Sequence, residues 1–184
     1  MSSPRIYTKK GDDGTTGLSH GGRVRKDSQP IEVNGAVDEA QAAMGLARAA
    51  AEPGSEVDQR LVALCRDLYV LMAEVATSEE KRHLLVAGSS LVTADMVERL
   101  EQGIDELLAR FPMPSDFTIP GANPVTAGLD LARTIVRRAE RLAVRQPVEG
   151  SLVLQYLNRL SDLLWAMARW QEGPDHLLSR DAGA

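Results

Sequence analysis

The chain has 184 residues and a net charge of −5 at pH 7, and it is 43% hydrophobic but only 4% aromatic. A chain of this length can bury the core of one domain, and its acidic balance argues against general binding to nucleic acid, whose phosphates need a broad positive surface. The one cysteine, Cys65, excludes an internal disulfide and is expected to be a buried small hydrophobe. No apolar run reaches membrane-spanning length, and the opening MSSPRIYTKK lacks the apolar core of a secretion signal. We therefore expect a soluble, cytoplasmic protein with a single domain over residues 1–184.

The first 30 residues predict an arm rather than a regular element. They are rich in glycine and show no sustained apolar period. Irregular segments of this length are uncommon in compact domains and are usually functional or disordered. We therefore expect residues 1–30 to form a long ordered loop, with a mobile surface loop as the alternative.

Five segments with helical periodicity follow the arm. Ala and Leu are abundant, which favours helices over strands, and Thr93 is suited to cap the third helix. The segments are 32–51, 57–77, 94–110, 125–145 and 152–171. With no credible sheet, they predict an all-α fold over residues 31–172, a left-handed up-down five-helix bundle of the ferritin-like type. Residues 79–92 are ambiguous, and the tail 173–184 is expected to be loose.

The arm carries the groups that a polyphosphate needs. Its glycines let backbone amides approach an anion closely, while threonine hydroxyls and lysine ammonium groups add donors and charge. The spacing fits neither a Walker loop nor a dinucleotide fingerprint, and the acidic positions do not suit a calcium loop. The candidate anion-binding residues are Thr8, Lys9, Lys10, Gly11, Gly14, Thr15, Thr16, Gly17 and Lys26.

A second cationic feature lies on the fourth predicted helix. Arg133, Arg137 and Arg141 are four residues apart and therefore line one face, with Glu140 beside them. Guanidinium groups at fixed spacing hold phosphates through charge-assisted hydrogen bonds. In an acidic protein this concentration of positive charge indicates a local anion site, and a solvated face laced with ion pairs is the alternative.

The last predicted helix also carries a polar stripe. Asn158, Ser161, Asp162, Trp165 and Arg169 fall on one side, opposite a stripe of leucines. Two helices that each carry a polar stripe beside an apolar one could enclose a polar cleft. An exposed face is equally compatible with the pattern.

Asp38 and the histidines are two further groups of candidate residues. Asp38 shares a side of the first helix with Ala42 and Gly45, small residues that let another helix or subunit approach, and an isolated surface acid is the alternative. No Ser-His-Asp or Cys-His arrangement emerges. The histidines are scattered, so we expect them to be exposed and assign none to a metal: they are His20, His83 and His176.

In chain order, these motifs resemble those of the PduO-type ATP:cob(I)alamin adenosyltransferases. The arm meets the family pattern T-x-x-G-D-x-G-x-T-x-L at Thr8, Gly11, Asp12, Gly14, Thr16 and Leu18. The first helix carries GAVDEAQAAMG, similar to the family's G-x-x-D-E-L-N-A-x-x-G, and FTIPG at 117–121 is similar to its F-x-L-P-G connector. ARTIVRRAER and YLNRLSDLLWAMAR resemble its two C-terminal motifs. The resemblance covers nearly the whole chain, from about Ile6 to Arg169.

The resemblance implies a cobalamin adenosyltransferase-like bundle that forms homotrimers. In such enzymes ATP with Mg²⁺ lies between subunits, held by the arm of one and the C-terminal helices of its neighbour. The cobalt of cob(I)alamin attacks the ribose 5′ carbon and triphosphate leaves, so the protein positions substrates and neutralises charge rather than supplying a nucleophile. Mg²⁺ is expected to bind mainly through phosphates, with no metal-ligating residue assigned.

The resemblance also assigns residues to the two substrates. The ATP-binding residues are Thr8, Lys9, Lys10, Gly11, Asp12, Gly14, Thr16, Gly17, Lys26, Arg137, Arg138, Ala139, Glu140, Arg141 and Asn158. The corrinoid-binding residues are Asp38, Phe117, Arg133 and Ser161, and the catalytic candidates are Asp38, Phe117, Arg133 and Arg137. Asp38 is expected to meet Arg133 of a neighbouring subunit. Phe117 is expected to pack below the corrin ring, with a hydrophobic plug under the loop as the alternative.

The implied partners are ATP, the reduced corrinoid, a reductase and an adenosylcobalamin-dependent mutase. A corrinoid carrier of the same fold, which delivers adenosylcobalamin to a dependent enzyme, is one alternative function. A helical nucleotide-binding or interaction module, with its arginines in an oligomer interface, is another. The intact arm motif and the full arginine run favour the enzyme.

Overall fold

All five predicted helical segments form α-helices in the computed structural model, which describes residues 6–174 and 176–180. They are α1 Gln29–Ala50, α2 Glu56–Val75, α3 Ala94–Leu108, α4 Pro124–Ala143 and α5 Val153–Glu172. The Ser55 and Thr93 hydroxyls cap α2 and α3 by accepting from backbone amides in the first turn. Before α4, Asn123 forms a capping box with Thr126.

The helices run alternately up and down, and α4 lies antiparallel to both α1 and α5. The Gln29 side-chain amide at the start of α1 donates to the Leu142 carbonyl at the end of α4. At the opposite end of the bundle, the Asn123 side-chain amide donates to the Gln171 carbonyl near the end of α5, at 3.1 Å. The predicted all-α, up-down five-helix bundle is therefore confirmed.

Close packing of α1 against α4 depends on one glycine. A Cβ atom on Gly128 would lie 2.8 Å from the Ala47 backbone nitrogen and 2.9 Å from the Ala47 Cα, closer than packed carbon and backbone atoms allow. Glycine is therefore needed at this crossing, which fixes the position of α4 and its arginines against α1. The core around it is apolar and includes the fully buried residues Met44, Leu61, Leu68, Leu100, Leu129, Leu157 and Leu164.

The arm contains a short antiparallel ribbon, where a loop was expected from the sequence. Strand β1, Thr15–Gly17, pairs with β2, Arg23–Arg25. The arm is fixed to the body where α2 ends, since the Ser19 amide donates to the Ala76 carbonyl at 2.9 Å and the Lys81 ammonium donates to the His20 carbonyl at 2.5 Å. Lys81 belongs to a 3₁₀ helix, Glu79–Leu84, within the stretch left ambiguous from sequence.

Residues 109–123 between α3 and α4, here called the connector, are joined to the tail. The Ile119 amide donates to the Leu177 carbonyl at 2.8 Å, and the Ser179 amide donates to the Phe117 carbonyl at 2.7 Å. The expectation of a loose tail is therefore wrong for residues 176–180, because backbone pairing with the connector orders them. Residues 175 and 181–184 of that tail lie outside the described residues.

The connector and the arm lie at opposite ends of the bundle. We call these the connector end and the arm end, and α4 runs from the first to the second. Cys65 is partly buried against the core, and this burial raises the pKa of its thiol. Across residues 6–174 and 176–180, no helix is both long and apolar enough to cross a membrane.

Candidate active site

A cavity of about 620 Å³ lies between the connector and the facing sides of α4 and α5. Phe117 borders it and is 81% exposed, so the alternative that this aromatic is a buried plug is wrong. The polar stripes of α4 and α5 face this common cleft. Their contribution to its lining is Asp130, Arg133, Arg137, Ser161, Asp162, Trp165 and Arg169.

Arg169 lines the cavity yet is only 1% exposed. Its Nη2 donates to Asp130 Oδ2 and to Glu172 Oε1, both at 2.6 Å, and its Nη1 donates to the Thr118 hydroxyl. The guanidinium carbon lies 5.8 Å from the centre of the Trp165 ring. Buried charges are tolerated when they are paired and hydrogen-bonded, and here one guanidinium is shared by two carboxylates.

The same network continues on both sides of Arg169. Asp130 Oδ1 accepts from Arg133 Nε at 3.0 Å, so a candidate corrinoid residue is held by a buried acid. Glu172 Oε2 accepts from His176 Nδ1 at 2.9 Å. The His176 side chain is only 5% exposed, so the expectation of an exposed His176 is wrong, because the tail folds back over the end of α5.

Further along α4, towards the arm end, the candidate ATP residues have few partners. Arg137 is exposed, and Arg141 Nη1 donates to its carbonyl at 3.0 Å. The Asn158 side-chain amide donates to Glu140 Oε1 at 3.0 Å, which ties α5 to α4. This stretch therefore presents two exposed guanidinium groups beside a fixed amide–carboxylate pair.

Two other candidates on α4 have different surroundings. Arg138 donates to the Glu39 carboxylate on α1, so its charge is already paired within the chain. Ala139 is fully buried. Its side chain therefore packs in the core, and the sequence-based assignment of Ala139 to ATP is wrong as far as a side-chain contact is concerned.

The arm is organised around Arg23, a residue outside the predicted set. Arg23 Nε and Nη2 donate to the Thr15 hydroxyl at 2.9 and 2.6 Å, and Nη2 also donates to the Lys10 carbonyl. Asp13 accepts from the Thr15 amide at 2.9 Å and the Thr15 hydroxyl at 2.8 Å. These hydrogen bonds, from the hydroxyl first, hold the pKa of the Asp13 carboxyl below its usual value.

Lys26 lies against the glycine turn. Its amide donates to the Gly14 carbonyl at 2.9 Å, and a Cβ on Gly11 would come within 3.2 Å of the Lys26 ammonium nitrogen. The absence of a side chain on Gly11 therefore lets this cation sit on the loop. The other arm candidates surround the same turn and are exposed or half-buried: Thr8, Lys9, Lys10, Asp12, Thr16 and Gly17.

The arm and the α4 arginines are not joined within one chain. Among residues 6–174 and 176–180, no hydrogen bond or ion pair connects the arm before Gln29 with α4 or α5. Asp38 is exposed on α1, and in the same part of the chain it forms no ion pair with Arg133. The structure thus brings Phe117, Arg133, Arg137 and Ser161 together and leaves the arm candidates apart from them.

Four residues of the site were missed from sequence. They are Arg23, Asp130, Glu172 and His176. A signal existed for two of them: Asp130 precedes Arg133 by one helical turn, and Glu172 follows Arg169 at an interval that brings side chains together on a helix. His176 lies beyond the end of α5, so helical spacing gave no signal for it. Arg23 carried no such signal because its partners depend on the ribbon.

Comparison with known proteins places the chain in a family. The family model described as Cobalamin adenosyltransferase matches residues 6–171. A corrinoid adenosyltransferase of Mycobacterium bovis is 40% identical, over 97% of this chain and 94% of the relative. A corrinoid adenosyltransferase of Citrobacter freundii is 37% identical, over 91% of this chain and 95% of the relative.

Solved structures give the same result. A variant of the PduO-type ATP:corrinoid adenosyltransferase from Lactobacillus reuteri, complexed with cobalamin and ATP, is similar to this chain with a TM-score of 0.84 and 28% identity, covering 96% of this chain and 97% of the other. A second variant of that enzyme, complexed with ATP, has a TM-score of 0.83 at 28% identity and covers 95% and 100%. The chain belongs to the cobalamin adenosyltransferase family, whose reaction joins an adenosyl group from ATP to a corrinoid.

Proposed function

We propose that the chain transfers the 5′-deoxyadenosyl group of ATP to the cobalt of cob(I)alamin, with the corrinoid at the connector end of α4 and the triphosphate towards its arm end. The observation that carries this arrangement is the row of arginines on α4, which begins inside the Phe117 cavity at Arg133 and continues through Arg137 to Arg141. One helix then presents charge to both substrates in a fixed geometry.

The protein's own residues have a limited chemical task in this reaction. The cobalt of the substrate is the nucleophile, the ribose 5′ carbon is attacked, and triphosphate leaves with the bonding electrons. Charge therefore builds up on the leaving phosphates, and guanidinium groups fixed beside them stabilise the transition state. No proton needs to be moved, so the reaction requires no general acid or base from the protein.

Phe117 is the residue proposed to act on the corrin ring. It is a large apolar side chain at the edge of the cavity and is 81% exposed. This exposure is unfavourable in the isolated chain, and an apolar ring system that covers the side chain would remove it from water. Packed against the lower face of the corrin, it displaces the axial ligand. Cob(II)alamin without that ligand is easier to reduce to the cob(I)alamin nucleophile.

ATP is proposed to lie between the arm of one subunit and α4 of its neighbour. The arm supplies glycine amides, threonine hydroxyls and Lys26, and α4 supplies Arg137 and Arg141. Neither half completes a polyphosphate site alone, and within the described part of one chain they are not connected. Mg²⁺ is proposed to bind through the phosphates, since no cluster of three or more His, Cys, Asp or Glu among those residues could hold a metal ion.

A homotrimer joins the two halves in this proposal, with Asp38 of one subunit facing Arg133 of the next. The Arg133 side chain is 25% exposed, and only its Nε is bonded to Asp130. Its terminal nitrogens are therefore available to a carboxylate of a neighbouring subunit. Apolar Leu46 and Leu131 are exposed on the same two helices. Asp38→Asn is expected to weaken assembly by about 2–5 kcal/mol, measured by light scattering against the exposed control Asp95→Asn. A monomeric mass for the wild type would contradict the trimer.

Two partner classes follow from the chemistry. Cob(I)alamin has to be made by one-electron reduction, so a reductase supplies the substrate, and an adenosylcobalamin-dependent mutase consumes the product. Because the reaction draws on ATP and a cellular reductase, we expect it to take place in the cytoplasm.

The test is anaerobic incubation of the chain with chemically reduced cobalamin, ATP and Mg²⁺, followed by its absorption spectrum. The expected result is appearance of the adenosylcobalamin spectrum with stoichiometric release of triphosphate. If ATP and the corrinoid both bind and no adenosylcobalamin forms, the chain is a corrinoid carrier. If neither binds, the α4 arginines serve assembly alone.

A further inference from the structure

We propose that Arg169 is a positioning residue that holds the Phe117 segment of the connector in place, with the C-terminal residues 176–180 as a second brace. This inference rests on the proposed function, because it explains how an exposed aromatic is kept in the orientation that the corrin requires. It assigns a role to a buried guanidinium that takes no part in the reaction itself.

Phe117 does not fix its own position. Its side chain is 81% exposed, so packing around the ring contributes little to its orientation. The next residue is anchored instead, since the Thr118 hydroxyl accepts from Arg169 Nη1. Arg169 is in turn immobilised through Nη2 by Asp130 on α4 and Glu172 on α5, both at 2.6 Å.

This arrangement resists displacement of the connector. If Thr118 moved away, Arg169 Nη1 would lose its only hydrogen-bond acceptor among the described residues while remaining 1% exposed. Leaving a buried charged donor without a partner is strongly unfavourable. The position of Thr118, and with it that of Phe117, is therefore coupled to the buried ion pairs of α4 and α5.

The tail holds the other side of the same segment. The Phe117 carbonyl accepts from the Ser179 amide at 2.7 Å, and the Ile119 amide donates to the Leu177 carbonyl at 2.8 Å. His176 lies 2.9 Å from Glu172, which links this brace to the Arg169 network. The backbone on both sides of Phe117 is thus fixed while its ring stays free to meet a ligand.

Asp130 gives the network a second consequence. It accepts from Arg169 through one carboxylate oxygen and from Arg133 through the other. The Phe117 segment and Arg133, which the proposed function assigns to the corrinoid and the subunit interface, are therefore set by one buried acid. Arg137, by contrast, has no hydrogen bond to this group among the described residues, so corrinoid and ATP handling are separable by mutation.

Thr118→Val is the most direct variant, because it removes the hydroxyl that accepts from Arg169 Nη1 and keeps the ion pairs of Arg169 with Asp130 and Glu172. We expect amide hydrogen exchange at Ile119 and Ser179 to rise about tenfold, since a tenfold change matches the loss of one such hydrogen bond. We expect KM for the corrinoid to rise by a similar factor while KM for ATP stays within about twofold. Arg169→Lys, which keeps the charge but loses the fork, should change the same quantities in the same direction.

The matched control is Thr77→Val, which removes a hydroxyl that donates to the Ala73 carbonyl at 2.8 Å at the other end of the bundle. It should leave both KM values unchanged. For the second brace, Ser179→Pro removes the amide that bonds Phe117 and should reproduce the corrinoid effect, whereas Ser179→Ala keeps that amide and should not.

The outcomes separate this inference from the proposed function. Unchanged amide exchange at Ile119 and Ser179 in Thr118→Val would overturn the positioning role. A variant with a lower melting temperature and equal rises in the KM values for ATP and for the corrinoid would also overturn it, because the effect would then be general destabilisation. If the wild type forms no adenosylcobalamin, the proposed function fails, while the exchange measurement still decides whether Arg169 holds the connector.

Discussion

The two ends of α4 are built in different ways. At the connector end, Asp130, Arg169 and Glu172 are nearly completely buried and bonded to one another within a single chain. At the arm end, Arg137 and Arg141 are exposed, and the arm that carries the complementary loop bonds to α2 and the 3₁₀ helix instead.

This difference separates positioning from binding. A buried network of ion pairs gives a fixed geometry before any substrate arrives, which suits a rigid corrin ring. Exposed cations and the backbone amides of a glycine turn are available to a flexible polyphosphate. Because these groups stay in water when no ATP is bound, they carry no desolvation cost in its absence. The account therefore predicts that mutations at the connector end affect folding and corrinoid use, and that mutations at the arm end affect ATP.

The largest expected effect is on stability at the connector end. Arg169→Ala leaves the Asp130 and Glu172 carboxylates buried without their cation, and we expect the free energy of unfolding to fall by about 3–5 kcal/mol. The control is Arg159→Ala on the same helix, where an exposed pair with Glu101 contributes about 0–1 kcal/mol. Urea unfolding measures both, and equal losses would contradict a special role for the buried network.

Arg137→Ala tests the part of α4 that faces the triphosphate. It should remove a charge-assisted contact worth about 1.5–3 kcal/mol, which is roughly a tenfold to hundredfold loss in ATP affinity or rate, with little change in stability because Arg137 is exposed. Arg137→Lys should recover only part of this loss, because the fork is absent. Calorimetry and turnover that match the wild type would remove this helix from the phosphate site.

Arg23→Ala tests whether the arm has to be preorganised. Loss of the Arg23 hydrogen bonds to Thr15 and Lys10 should raise KM for ATP by about twofold to tenfold, the range for one or two exposed hydrogen bonds, and leave the corrinoid KM unchanged. Arg25→Ala on the same strand is the control, since the one ion pair of Arg25 within the described part of the chain is with the neighbouring Asp27. If both variants behave alike, the positive charge on the ribbon matters rather than the hydrogen bonds from Arg23 to Thr15 and Lys10.

The smallest expected effect is a pH dependence of the arm turn. Because hydrogen bonds from Thr15 lower the pKa of Asp13 from its ordinary 3.8, the ionised carboxylate stabilises the turn at every pH above that value. This contribution is lost as pH falls through the lowered pKa, so the Thr15 amide resonance should be constant from pH 7 to about 5 and move only in stronger acid. Asp13→Asn should flatten this titration, and a transition near neutral pH would contradict the assignment.

The five helices could be predicted from the sequence more accurately than the arm and the tail. Apolar periodicity and caps such as Thr93 located all five helices, because these signals lie within each segment. The ribbon Thr15–Gly17 with Arg23–Arg25 was missed, since strands of three residues show no period. The prediction of a loose tail was wrong for residues 176–180. Their order comes from backbone hydrogen bonds to the connector, which lies far away in sequence.

The candidate site divides in the same way. Phe117, Arg133, Arg137 and Ser161 could be named from motif and spacing, and the structure places them around one cavity. The burial of Arg169 could not be read from α5 alone, because it depends on Thr118 and Asp130 from other elements. Tertiary contacts determine which side chains support a site. Such residues cannot be told from sequence, because locally they look like those of any polar helix face.

The claim that the arm end is completed by a neighbouring chain is tested by mixing two inactive variants. Lys26→Ala damages the arm and Arg137→Ala damages α4, and each alone should show little adenosylation of reduced cobalamin. In trimers assembled randomly from equal amounts of both, about one quarter of the sites join an intact arm to an intact α4, so the account predicts recovery of about a quarter of wild-type activity. Activity that stays at the mean of the two separate variants would show that arm and helix act within one chain, and would contradict the account.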